Sequence, residues 1–107
     1  MKDLELKSFE IISNVGSARS YYIEAIGYAK KYDFENADKS MKNGIDAFNA
    51  GHNVHSELVS KEASGEKTEF SLILMHAEDQ LMSAEGFKII ATEFIDLYKK
   101  LYQNKLN

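Results

Sequence analysis

The sequence predicts an all-α protein, an antiparallel three-helix bundle. Three observations carry this: proline is absent, only two segments carry turn chemistry, and the apolar residues between them recur at steps of three and four. At 107 residues the chain reads as one domain, residues 1–107, because a folded body of this size has room for a single core. A composition of 44% hydrophobic and 28% charged residues suits a folded chain and excludes a disordered or collagen-like one.

The first turn falls at Lys31-Tyr32-Asp33-Phe34, where Asp33 can accept from the free amides of a helix beginning at Phe34 and Glu35 suits its first turn. The second falls at Ala63-Ser64-Gly65-Glu66-Lys67-Thr68, with Gly65 as the left-handed residue that ends a helix and Thr68 as the cap of the next. These signals place helices over residues 4–31, 34–63 and 69–104. On the first, Leu4, Ile11, Val15, Ala18, Tyr22, Ala25 and Ala29 form an inward seam. On the second, Ala37, Met41, Ile45, Phe48, His52, His55 and Val59 keep the rhythm, with two histidines at apolar positions.

The third helix carries two apolar lines. One runs Leu72, Met75, Asp79, Met82, Gly86, Ile89 and Glu93, interrupted twice by an acid, and the other runs Leu74, Leu81, Ile90, Phe94, Leu97 and Leu101. This is more apolar circumference than a lone three-helix protomer uses, so the surplus predicts self-association of a rod ~54 Å long. Gly16 and Gly86, inside helices where each costs about 1 kcal/mol relative to alanine, read as points of close helix contact. The segment Tyr98 to Lys105 reads as a fraying end whose lysines suit the negative pole of the helix.

Without cysteine, the chain has no disulfide, thiolate metal site or cysteine nucleophile. A net charge of -4 argues against nucleic acid as a partner. The charged start and the short apolar run Phe70–Met75 argue against a signal peptide and direct membrane insertion, so a cytoplasmic protein is expected.

No phosphate-binding glycine loop or serine-hydrolase motif occurs. His52 and His55, spaced three apart with Glu57 nearby, form a weak metal pair, and a bonded pair at a helix interface is the plainer reading. A di-iron bundle fails because no Glu-x-x-His repeat is present. His76 differs: Met75-His76-Ala77-Glu78-Asp79-Gln80-Leu81-Met82-Ser83 sets an imidazole within a turn or two of a carboxylate, an amide and a hydroxyl. A neutral imidazole is a competent nucleophile near neutral pH. Spacing alone leaves open whether His76 is chemical or structural.

The segment around His76, with Ala63-Ser64-Gly65-Glu66, His55-Ser56, Gly16-Ser17-Ala18-Arg19-Ser20 and Asp33-Phe34 in the same order, resembles the lactose/cellobiose class of enzyme IIA of the sugar phosphotransferase system over nearly the whole chain. The resemblance implies a nine-helix homotrimer and a phosphoryl carrier. In it His76 takes phosphate from the phosphocarrier HPr and passes it to the IIB component during uptake of a disaccharide of the lactose/cellobiose type. It also implies that three copies of Asp79 meet around a divalent cation, Mg2+, on the trimer axis, which would account for an acid on an apolar seam. The IIA component does not touch the sugar, so selectivity is expected in the membrane component IIC.

Gln80 stands where the family pattern has a second histidine. An amide still donates a hydrogen bond to a phosphoryl oxygen, as can Ser83, but it does not titrate. Transfer is therefore expected to vary less between about pH 6 and pH 8 than in a relative with histidine there. Met75 and Met82 offer a soft surface for two successive partners. The competing reading is a non-catalytic helical interaction or regulatory module that keeps the fold. No role is assigned to Arg19 or Glu93.

Overall fold

In the computed structural model, which describes residues 3–106, three helices follow one another: α1 (Asp3–Lys30), α2 (Phe34–Ala63) and α3 (Leu72–Leu106). Short connections fold them back on each other into a rod of 60 × 24 × 19 Å. Helix α1 packs against both others, whereas α2 and α3 touch each other least.

The two turns use the same device. After α1, Tyr32 N–H donates to Ala29 O (2.9 Å) and Asp33 N–H to Tyr28 O (3.0 Å), closing the paired bonds of a Schellman cap. After α2, Gly65 N–H donates to Glu62 O (3.1 Å) and Glu66 N–H to Lys61 O (3.0 Å) in the same pattern. The residue at the reversal must adopt a left-handed backbone. Gly65 does so at φ 102°, as its sequence position suggested, but the first turn uses Tyr32 at φ 63°. That conformation disfavours a bulky side chain, and the Tyr32 ring gains compensating contacts: Tyr102 at 4.9 Å, Phe34 at 6.2 Å and the Lys105 ammonium at 5.4 Å. The same clasp corrects the expectation of a fraying C-terminus, because Tyr102 pins the last turns of α3 onto the α1–α2 turn and the helix runs to Leu106.

Asp33 caps α2 as anticipated, accepting from Asn36 N–H (3.2 Å) and from the Asn36 side-chain amide (2.7 Å). Thr68 does not cap α3. Ser71 does, its Oγ accepting from Leu74 N–H at 3.2 Å, so the helix begins at Leu72 rather than at residue 69.

The α1 seam is buried from Ile11 through Val15, Ala18, Tyr22 and Ala25 to Ala29. On α2 the buried line is Ala37, Ser40, Gly44, Gly51 and Leu58, which displaces the expected seam: Val59 and His52 are exposed. Here the interior is made by small residues that admit α1. A Cβ on Gly44 would lie 2.5 Å from Tyr22 Cε1, and one on Gly51 would lie 2.9 Å from Val15 Cγ1. Gly16 and Gly86, the expected contact points, have nothing within 4 Å of an added Cβ.

On α3 the inward residues are Ala77, Leu81, Ala84, Ala91 and Ile95. Both lines expected from periodicity, Leu81 apart, lie wholly or partly outside this core. Leu72, Met75, Met82, Ile89, Ile90, Phe94, Leu97 and Leu101 are all exposed in the protomer. Among the described residues, no helix is long and apolar enough to cross a membrane.

Candidate functional site

At about 100° per residue, positions i, i+4 and i+7 of a helix share a face, so His76, Gln80 and Ser83 form one line along α3. His76 and Ser83 are exposed and Gln80 is half-buried. The line runs along the edge between the alanine-rich face that packs inward and the outward apolar stripe. Ala77, next to His76, is fully buried and fixes this stretch of helix to the bundle, so the neighbouring imidazole is carried outward by a rigid backbone.

Gln80 is tied to α1: the Arg19 guanidinium Nη1 donates to its Oε1 at 2.6 Å. Nothing in the spacing singled this pair out, because the two residues are 61 positions apart. Arg19 lay among residues the sequence marked, without an assigned partner.

On the other edge of α3, Glu78 Oε1 lies 2.6 Å from His55 Nδ1, which, facing a carboxylate, is assigned as the protonated nitrogen. This pair ties α2 to α3, the two helices that touch each other least. It also gives His55 the bonded interface role expected of it, with Glu78 rather than the nearby Glu57 as partner. His52 is instead exposed and stacks on Phe48, with centroids 6.0 Å apart and planes at 28°. Among the described residues no three histidine, aspartate or glutamate side chains converge as a metal site, so the His52–His55 metal pair does not form one.

Asp79 lies on the exposed stripe between Met75 and Met82, which are 52% and 70% exposed. It also borders a groove of about 710 Å³ between α2 and the start of α3, with Leu58, Val59, Phe70 and Met82 among its walls. Among the described residues of one protomer, no two other metal-ligating side chains converge with Asp79 as a metal site, and its carboxylate is exposed. Glu93 is exposed farther along the same helix.

Chemically the line offers one accessible imidazole, an amide whose oxygen is already engaged, and a hydroxyl. His76 is exposed, and the groove beside Asp79 does not include it. An exposed nucleophile on a convex helix suits a reaction in which the other reactant arrives on a second protein rather than as a small molecule in a cavity.

Comparison with known proteins bears on the family and the fold. Residues 6–99 match the family described as "PTS system, Lactose/Cellobiose specific IIA subunit". The lichenan-specific phosphotransferase enzyme IIA component of Bacillus subtilis is 38% identical over 104 residues, covering 97% of this chain and 94% of that protein. The crystal structure of the cellobiose-specific enzyme IIA from Bacillus anthracis superposes with a TM-score of 0.93 at 46% identity, covering 96% of this chain and 94% of that one. The IIA(chitobiose)–HPr complex of the Escherichia coli phosphotransferase system gives 0.82 at 34% identity, covering 95% and 99%.

Proposed function

This chain belongs to the lactose/cellobiose-specific IIA family of the sugar phosphotransferase system, and from that premise we propose that His76 is the residue through which it carries phosphate. The protein is a phosphoryl carrier, the transferase component that receives phosphate from HPr and hands it to IIB for the uptake of a sugar. The observation that supports His76 is its exposure on α3, beside a backbone fixed by buried Ala77 and one turn before Gln80.

The chemistry asks little of the protein beyond presentation. The lone pair of the unprotonated His76 nitrogen attacks phosphorus on the donor phosphohistidine of HPr. A new N–P bond forms as the donor N–P bond breaks, and the electron pair of the broken bond stays on the donor ring, which leaves as neutral imidazole if its other nitrogen is protonated. His76 keeps the proton on its own second nitrogen. The second half-reaction moves the group to the IIB cysteine by the same displacement. Gln80 N–H and Ser83 O–H, on the same line of α3 as His76, donate to phosphoryl oxygens in this reading. Being exposed and convex, the site admits both partners in turn, and Met75 and Met82 give the adjoining surface a side-chain plasticity suited to two different proteins.

The assembly is a homotrimer of nine helices in this reading, formed along the exposed stripe of α3. Large apolar side chains such as Leu72 (83% exposed) and Ile89 (60% exposed) are otherwise left in water. Asp79 fits the same picture: a carboxylate among Met75 and Met82 is costly to cover unless it is neutralised. Three copies of Asp79 would meet a divalent cation such as Mg2+, which favours carboxylate oxygens and would offset two of their three negative charges. The ion's contribution is charge balance at the interface, and the transfer at His76 does not pass through it. A cytoplasmic location follows from partnership with HPr.

Incubation with labelled phosphoenolpyruvate, enzyme I and HPr tests the assignment. Acid-labile label is expected on the natural protein and absent from His76→Ala. Label retained by His76→Ala places the carrier elsewhere, and no label on the natural protein favours a silent interaction module.

A further inference from the structure

The bond between α1 and α3 at Arg19 gives Gln80 a more definite part than its side-chain type alone. An amide has an acceptor end and a donor end of nearly equal size, and a free glutamine beside a phosphoryl group presents either. A guanidinium has five donors and no acceptor, so it tolerates only the oxygen end of an amide. With Arg19 Nη1 on Gln80 Oε1 at 2.6 Å, the amide is locked: the oxygen is spent on Arg19 and both Nε2–H donors remain for another acceptor. Gln80 lies one helical turn from His76 on the same line, so those donors belong to the face on which the phosphoryl group would sit. The contact is partly buried, where a charge-assisted bond is screened less than in water, and withdrawal of electron density from the amide oxygen strengthens the N–H donors.

We propose that Arg19 is a positioning residue for phosphoryl transfer: it fixes Gln80 as a donor toward phosphate on His76 and supplies a permanent positive charge one amide away. The proposal rests on His76 being the carrier. Where a glutamine alone would bring no charge, the Arg19–Gln80 pair brings the positive charge of a guanidinium.

Three substitutions in the full-length protein, assayed for transfer from phospho-HPr, test this. Arg19→Met removes donor and charge, and kcat is expected to fall about tenfold while KM for HPr changes less than twofold. Arg19→Lys retains a cationic donor and is expected to recover most of that loss. Gln80→Glu keeps the tie to Arg19, as a salt bridge, but replaces the amide donors by an acceptor. It is expected to fold at least as stably and to lose tenfold or more in kcat. A purely structural link predicts the same stability for this last variant but unimpaired transfer. Side-chain amide resonances of Gln80 provide a direct reading, shifting on phosphorylation in the natural protein and not in Arg19→Met.

If Arg19→Met fails to fold, Gln80→Glu and the amide resonances decide. Natural-rate transfer by Gln80→Glu overturns the positioning role, as does an Arg19→Met protein that folds and transfers normally. Both results are distinct from failure of the carrier assignment, which His76→Ala reports separately by keeping its label.

Discussion

The close approach of α2 to α1 is the feature of the fold most exposed to a single methyl group. Gly44→Ala puts a Cβ 2.5 Å from Tyr22 Cε1, 2.7 Å from Cδ1 and 3.2 Å from Tyr21 Cβ, where carbon contacts ordinarily lie at about 3.5–4.0 Å. The Tyr22 ring would have to retreat by about 1 Å, yet it is 0% exposed and packed among Ala18, Ala91, Met41, Ile45 and Phe87. Overpacking of this kind costs about 1–3 kcal/mol, against about 1 kcal/mol gained from replacing a helical glycine by alanine, so a net loss of about 1 kcal/mol is expected. Gly16→Ala, the same change with nothing within 4 Å, keeps only the gain. The two variants should therefore differ by about 2 kcal/mol, or roughly 10 °C in midpoint for a domain of this size. Thermal and urea unfolding at one fixed protomer concentration measures the difference. Repeating Gly44→Ala in a Tyr22→Leu background, which removes the opposing ring atoms, should abolish its penalty. Equal stability of the two alanine variants, or an undiminished penalty in the leucine background, refutes the steric account.

Among the described residues the buried Tyr22 hydroxyl has no hydrogen-bond partner, so Tyr22→Phe should stabilise the protein by up to about 1 kcal/mol in urea titration; a destabilised variant would mean that the hydroxyl is satisfied after all. Burial also pushes the Tyr22 phenol above its ordinary value of 10.0, so stability is full below that pH and falls as pH rises past it, a decline that Tyr22→Phe should lessen. For the proposed trimer, sedimentation should find the natural protein as a trimer and Ile89→Lys, on the exposed stripe of α3, as protomers with helicity unchanged, each copy forfeiting about 1.5–3 kcal/mol of apolar burial; a natural protein that sediments as a protomer overturns the trimer, and a variant that stays trimeric places the interface elsewhere. The Asn36 side-chain amide, then its backbone N–H, hold the Asp33 carboxyl below its usual 3.8, so the cap's contribution is present above that value and is lost as pH falls through the lowered one. Asp33→Ala should therefore be less stable than the natural protein at neutral pH, with a deficit that shrinks as pH falls below 3.8, and a deficit that does not change with pH there would contradict the linkage.

Hydrophobic periodicity located α1 correctly because its inward face is marked by side chains large enough to be seen: Ile11, Val15 and Tyr22 with alanines between. It misplaced the inward faces of α2 and α3 for one physical reason. Where helices approach closely, the interior is built from Ser40, Gly44 and Gly51 on α2 and from Ala77, Ala84 and Ala91 on α3, and a pattern that counts apolar bulk does not register a contact made by its absence. On α3 the bulk lies outside, so the strongest stripe in the sequence is the one the protomer does not bury. The turns were legible where glycine or aspartate carries the geometry, at Gly65 and Asp33, and not at Tyr32, whose left-handed backbone is offset by an aromatic neighbour, Tyr102, from the far end of the chain. In the candidate site, the face shared by His76, Gln80 and Ser83 follows from helical spacing. The partners Arg19 and His55 come from other helices, and no local pattern announces them.

The two faces of α3 bear directly on what the helix can do. A carrier histidine must be reachable by two different proteins and yet held rigidly enough to meet each in line, demands that oppose one another on a flexible loop. Here the alanine-rich face lets α3 lie close against α1, fixing the backbone at Ala77, while His76 stands at the margin of that contact, outside the core. Arg19 restrains one edge of the helix and His55 the other, through Gln80 and Glu78, so the segment between them is braced from both neighbours by polar side chains. Small residues inward, two polar ties at the edges and bulk outward are thus three parts of one arrangement. Were the core of α3 filled with leucines in place of alanines, α3 would stand farther from α1, Arg19 would not reach Gln80, and the imidazole would be presented on a helix fixed by packing alone.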